Sequence, residues 1–124
     1  MNILRLSFVA AALAGAALFA APVWAHAFLD HAVPSVGSTS QGAPRQLVLS
    51  FTQNIVPAFS GVSLTSPAGA SVPTGKVVVA PSDPATLQVS IGRTLSPGTY
   101  VVHWHVVSVD THHTSGSYKF TIAP

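Results

Sequence analysis

The sequence predicts an all-β fold, a β-sandwich or small barrel of about seven short strands with Greek-key connections, preceded by a signal peptide. Three observations carry this. Apolar residues alternate with period two, the residues between them are those that make turns, and no segment after residue 25 offers an amphipathic helical period. The strands are expected at Ala27 to Val33, Gln46 to Thr52, Gly61 to Thr65, Lys76 to Val79, Thr86 to Ile91, Thr99 to Val107 and Ser117 to Ile122. They are rich in valine, isoleucine, threonine and aromatics, which suit a pleated, half-buried surface. The stretches "PSVGSTSQGAPR", "SPAGASVPTG", "APSDPA" and "LSPG" separate them and supply the strand breakers.

"TYVVHWHVV" shows the alternation best. Tyr100, Val102, Trp104 and Val106 share one face of a strand, and Val101, His103, His105 and Val107 share the other. Trp104 is therefore expected to fill the core between the sheets. There is no internal repeat, second domain or extended linker.

The first 25 residues are of another kind. They hold one charge, Arg5, then an apolar run from Leu6 to Ala21, then Pro22 and the small-residue end "VWA". A basic start, an apolar centre and a small residue before the cut make a secretory signal peptide. The run is 16 residues long, short for a membrane span of roughly 20. Cleavage is expected after Ala25, with Ala21 as the competing position. The chain then divides into residues 1–25, the signal, and residues 26–124, one domain, with no direct membrane insertion after cleavage.

Composition narrows the functions open to residues 26–124. Arg45, Lys76, Arg93 and Lys119 stand against Asp30, Asp83 and Asp110, a net charge of +1 with neutral histidines. Four scattered cations make no basic patch, which argues against a nucleic-acid partner. Cysteine is absent and the one methionine is Met1, so the domain has neither disulfide nor sulfur ligand. Glutamate is absent and the three aspartates are far apart, which disfavours a paired-carboxylate hydrolase. No G-x-S-x-G elbow, phosphate loop or H-E-x-x-H motif occurs.

Histidine is the unusual component. There are six, His26, His31, His103, His105, His112 and His113, four of them between positions 103 and 113. Imidazole is the commonest protein ligand for intermediate metals. In "DTHH", Asp110 and His112 are two residues apart, so on an extended segment both project the same way, about 6.5 Å apart at the backbone. His113 would project oppositely. If cleavage makes His26 the first residue, its α-amine and ring Nδ1 can chelate one ion, a histidine brace. The amine has a pKa of about 7.7–8.0, so a Lewis-acidic ion can displace its proton near neutral pH. Brace, Asp110 and His112 give three nitrogens and one oxygen, a set that suits Cu(II), although zinc would accept the same ligands.

Blander readings exist for each residue. A D-x-H pair arises often by chance. His103 and His105 form an H-x-H pair that is either a rival site or a solvated strand face, and His31 is expected to face solvent or support a ligand.

These pieces together resemble the CopC/PcoC copper-resistance proteins of the bacterial periplasm. The resemblance rests on "HAFLDHAVPSVGS", "APRQLVLSFTQNI", "FSGVSLTSPAG" and "LSPGTYVVHWHVVSVDTHHTSGSYKFTI", which run the length of the domain. It implies a seven-stranded Greek-key β-barrel of cupredoxin-like or immunoglobulin-like shape. It also implies one Cu(II) ion held by His26, Asp110 and His112, periplasmic localisation, and association with CopD-like inner-membrane proteins. Members with a second site carry a methionine-rich loop for Cu(I). The equivalent stretch here, "LTSPAGASVPTGKVVVA", has no methionine, so no Cu(I) site of that type is expected. Gln53 stands where some members have a glutamate, and His113 where proline is frequent. The expected role is to sequester or deliver copper without catalysis. The rivals are a copper oxygenase of the lytic polysaccharide monooxygenase type, which also uses a histidine brace, and a structural secreted β-sandwich.

Overall fold

The computed structural model describes residues 27–124; the expected signal peptide, residues 1–25, and His26 lie outside the described residues. Two sheets face each other. The first, in the order β1-β3-β7-β6, contains β1 (Leu29–Val33), β3 (Gln46–Phe51), β7 (Asp83–Ser90) and β6 (Val78–Ala80). The second, in the order β2-β9-β8-β4-β5, contains β2 (Thr39–Ser40), β9 (His113–Ile122), β8 (Gly98–Val107), β4 (Gly61–Thr65) and β5 (Ser71–Val72). The chain changes sheet repeatedly, so four of the seven strand pairs join strands that are not consecutive in sequence.

The seven expected strands are all present. The two additions, β2 and β5, are two residues each and form only against partners: β2 runs parallel to the end of β9, and β5 pairs with β4. So short a strand has no period to read, because only pairing makes it extended. A 3-10 turn at Pro57–Phe59 lies between the sheets in sequence order.

The core is made by the inward alternation of both sheets. Leu47, Leu49, Leu87 and Val89 come from the first sheet, and Leu64, Tyr100, Val102, Val106, Phe120 and Ile122 from the second. Tyr100 stacks on Phe120 with ring centroids 5.6 Å apart and donates its hydroxyl to Ser96 O at 2.8 Å, which ties the start of β8 to the loop before it.

Trp104 differs in degree from expectation, being half-buried rather than central. It lies opposite Gly116 and sets its ring edge-on to Phe51, centroids 5.1 Å apart. A side chain at 116 would meet the indole at 2.6 Å, so glycine there makes room for the ring.

The hairpin of β8 and β9 dominates the second sheet. Its ten-residue register runs from Gly98 opposite Ile122 to Val107 opposite His113. β9 starts four residues earlier than expected, because "HTSG" reads as a turn until it is paired with "HWHVV" across the ladder. The residues between the strands, 108–112, thereby become the tip of one long hairpin.

Candidate metal centre

The tip is built from a few bonds. Ser108 is fully buried; its amide donates to His112 O at 3.0 Å, and Thr111 N donates back to Ser108 O at 2.8 Å. The neighbouring loop holds the tip from outside. Val109 N donates to Asn54 O at 3.0 Å, Val56 N donates to Val107 O at 2.8 Å, and Ile55 bridges Ser108.

Asp110 and His112 come together here, though not as strand alternation suggested. Both lie in the turn rather than on an extended segment, and Thr111 between them has φ of +73°. It is the only non-glycine with positive φ among the described residues. A β-branched residue rarely adopts that conformation. Its left-handed backbone turns the chain so that Asp110 Oδ1 and His112 Nδ1 approach to 3.3 Å. The Ser108 hydroxyl donates to the same Asp110 oxygen. That bond, more than the adjacent His112, holds the Asp110 carboxyl below the usual carboxylate range.

The separation suits a metal. Two ligand atoms on one first-row ion, each bonded at about 2.0–2.2 Å, stand roughly 3 Å apart when adjacent. Asp110 and His112 are each partly exposed, 40% and 44%, although His112 Nδ1 itself faces inward and is shielded from solvent. Their oxygen and nitrogen make a donor pair for an intermediate divalent ion. No group of three or more histidine, cysteine or acidic side chains that could hold an ion occurs among the described residues. Among the described residues the tip therefore brings two such donors together.

His26 lies outside the described residues, but the residue after it is well fixed. Ala27 is fully buried, and its carbonyl accepts from Thr114 Oγ1 at 2.8 Å, two residues beyond His112. Phe28 N donates to Thr52 Oγ1 and Thr52 N donates to Phe28 O, both at 2.9 Å. These bonds pin the start of the described chain between the two sheets, beside the base of the tip. Thr114 and Thr52 were not singled out in the sequence. Only the pairing of distant segments reveals what their hydroxyls hold.

The other histidines stand apart. His31 faces solvent with Nδ1 3.0 Å from Asp30 Oδ2, at a bulge in β1. His103 and His105 are exposed on the outer face of the second sheet, and His113 opens β9 on its exposed side. A groove of about 520 Å³ lined by Pro57, Ala58, Ser60 and residues 76–79 has neither imidazole nor carboxylate in its lining.

The sandwich brings an acid and an imidazole together at one hairpin tip, beside the first described residue. A family model described as the CopC domain matches residues 29–123. Copper resistance protein C of Xanthomonas campestris pv. juglandis is 41% identical over 119 residues, covering 92% of this chain and 89% of the relative. Protein YobA of Escherichia coli strain K12 is 39% identical over 100 residues, 81% of each chain. Among solved structures, the crystal structure of CopC from Methylosinus trichosporium OB3b superposes with a TM-score of 0.74 at 31% identity, covering 80% of this chain and 95% of that one. The chain belongs to the CopC family.

Proposed function

We propose that this protein is a periplasmic carrier that binds one Cu(II) ion through His26, Asp110 and His112 and sequesters or delivers it for copper resistance. The observation that carries the proposal is the 3.3 Å approach of Asp110 Oδ1 to His112 Nδ1 at a tip whose base anchors Ala27. Covalent geometry puts the Cα of residue 26 about 3.8 Å from that of residue 27. A chain that begins at His26 thus brings an amine and an imidazole to the neighbourhood of the two donors already there.

Each residue has a separate task. Asp110, kept ionised by the Ser108 hydroxyl, supplies the negative charge that offsets part of the ion's own. His112 supplies a nitrogen on a backbone fixed by two bonds to Ser108. The brace nitrogens favour Cu(II), which heads the divalent series on nitrogen ligands. The absence of methionine after residue 1 gives no thioether for Cu(I). A CopD-like membrane protein is the proposed partner in transfer.

The test is a copper titration of protein beginning at His26, repeated with one residue added before it. The expected result is tight one-to-one Cu(II) binding, weakened at least ~100-fold by the added residue, since the extension removes the amine ligand. Equal affinity in both would remove the brace.

A further inference from the structure

The outer face of the second sheet carries a pair of imidazoles that the hairpin tip does not use. His103 and His105 are both exposed and alternate on the same side of β8. Their backbones are about 6.5–7 Å apart along the strand, and imidazoles of that spacing can reach one ion from two adjacent positions. No hydrogen bond or ion pair engages either ring among the described residues.

The flanking strands leave these rings clear. On β4, His105 faces Gly61 and His103 faces Ser63; on β9, His105 faces Ser115 and His103 faces Ser117. Strand positions favour β-branched and aromatic residues, yet all four cross-strand neighbours here are glycine or serine. Gly61 matters most. The His105 ring lies over it so closely that a side chain at 61 would clash with Cε1. The result is a shallow depression of about 230 Å³ lined by Gly61, Val62, Ser63, His103, Trp104 and His105.

We infer that His103 and His105 form a second, weaker binding site for an intermediate divalent ion such as Cu(II) or Ni(II), independent of the hairpin tip. Two neutral imidazoles are nitrogen donors of the type such ions prefer. Water completes the coordination, and the Ser63 hydroxyl lies within the same depression. The site has no carboxylate in its lining, and Lys119 sits on the same outer face opposite Val101. With two ligands and a nearby cation, its affinity falls well below that of a centre with an aspartate. The inference does not rest on the brace, because no residue is shared.

The experiment adds Cu(II), and separately Ni(II), to protein beginning at His26 and follows the histidine ring signals by NMR beside a calorimetric titration. The expected result is a second equivalent at least ~100-fold weaker than the first, which perturbs the His103 and His105 rings. H103Q and H105Q each lower the second affinity at least tenfold and leave the first within twofold, whereas H113Q changes neither. G61A, which displaces the His105 ring, also weakens only the second. A residue added before His26 weakens the first and spares the second, so failure of the brace and failure of this site are told apart. A second equivalent that survives in the H103Q/H105Q double variant, or none up to millimolar metal, overturns the inference.

Discussion

Two corners of this molecule are each organised by an aspartate, and they have opposite outcomes. At the start of β7, Asp83 accepts from Ala85 N at 3.0 Å and from Thr86 Oγ1 at 2.8 Å, and Thr86 Oγ1 in turn meets Ser50 Oγ at 2.8 Å. At the hairpin tip, Asp110 accepts from the Ser108 hydroxyl and faces His112 Nδ1. Hydrogen bonds lower both carboxyl pKa values, Thr86 contributing most for Asp83 and Ser108 for Asp110. Asp83 gives both oxygens to donors of its own chain, and its network runs inward to a buried Ser50 that joins β7 to β3. Asp110 stands instead beside an imidazole nitrogen, at a solvent-accessible tip, on a backbone held in an unfavourable conformation. A lowered carboxylate pKa therefore does not by itself mark a ligand. The second partner is what differs: a backbone amide at Asp83, an imidazole nitrogen at Asp110.

The sharpest test of that contrast is copper affinity. H112A and D110A are each expected to lower Cu(II) affinity at least ~100-fold, the upper range for losing even a supporting group, while D83N changes it less than twofold. Competition titration against a chelator reads both. A large loss with D83N would collapse the distinction between the corners.

Stability is expected to respond in the reverse order. T86V leaves the buried Ser50 hydroxyl without its partner, at a cost of about 1–3 kcal/mol, read from denaturant midpoints, with copper affinity unchanged. The T86V result would sharpen the assignment of the Asp83 corner to folding.

Acid separates the corners by sign. A carboxyl with a lowered folded pKa contributes stability that is present above its ordinary value, 3.8, and is lost as pH falls through the lowered folded value. D83N should therefore flatten the acid limb of apo-protein stability below about pH 4. Copper release on acidification should begin at higher pH, because protons compete for the imidazole and amine nitrogens while Asp110 stays ionised. Release that begins only where carboxylates titrate would count against nitrogen ligation.

The smallest effect is expected at Thr111. T111N puts a residue tolerant of the left-handed region at φ of +73° and should raise apo stability by up to about 1 kcal/mol, measured by thermal unfolding. Unchanged or lowered stability would mean that the tip holds no backbone strain worth relieving.

Much of the fold was legible because alternation is a local signal. "TYVVHWHVV" announced its buried and exposed faces, and Gly61 to Thr65 appears with the expected bounds. β2, β5 and the first four residues of β9 were not legible, since Thr39–Ser40, Ser71–Val72 and "HTSG" become extended only through partners distant in sequence. Of the candidate ligands, Asp110 and His112 were recognisable by residue type and spacing, but they lie in a turn and not on a strand. Strand alternation does not join them; a left-handed Thr111 does, and a single non-glycine residue in that region leaves no mark in sequence.

By itself, then, the sequence determined which atoms are available: nitrogens and carboxylate oxygens, no thiol, no thioether after Met1, and strands whose side chains alternate. Only the tertiary structure decided where they meet. Pinning Ala27 to Thr114 and Thr52, and bending the tip at Thr111, depends on hydrogen bonds between segments up to 87 residues apart. The closing of such long loops is fixed by the packing of the two sheets, which no local pattern encodes.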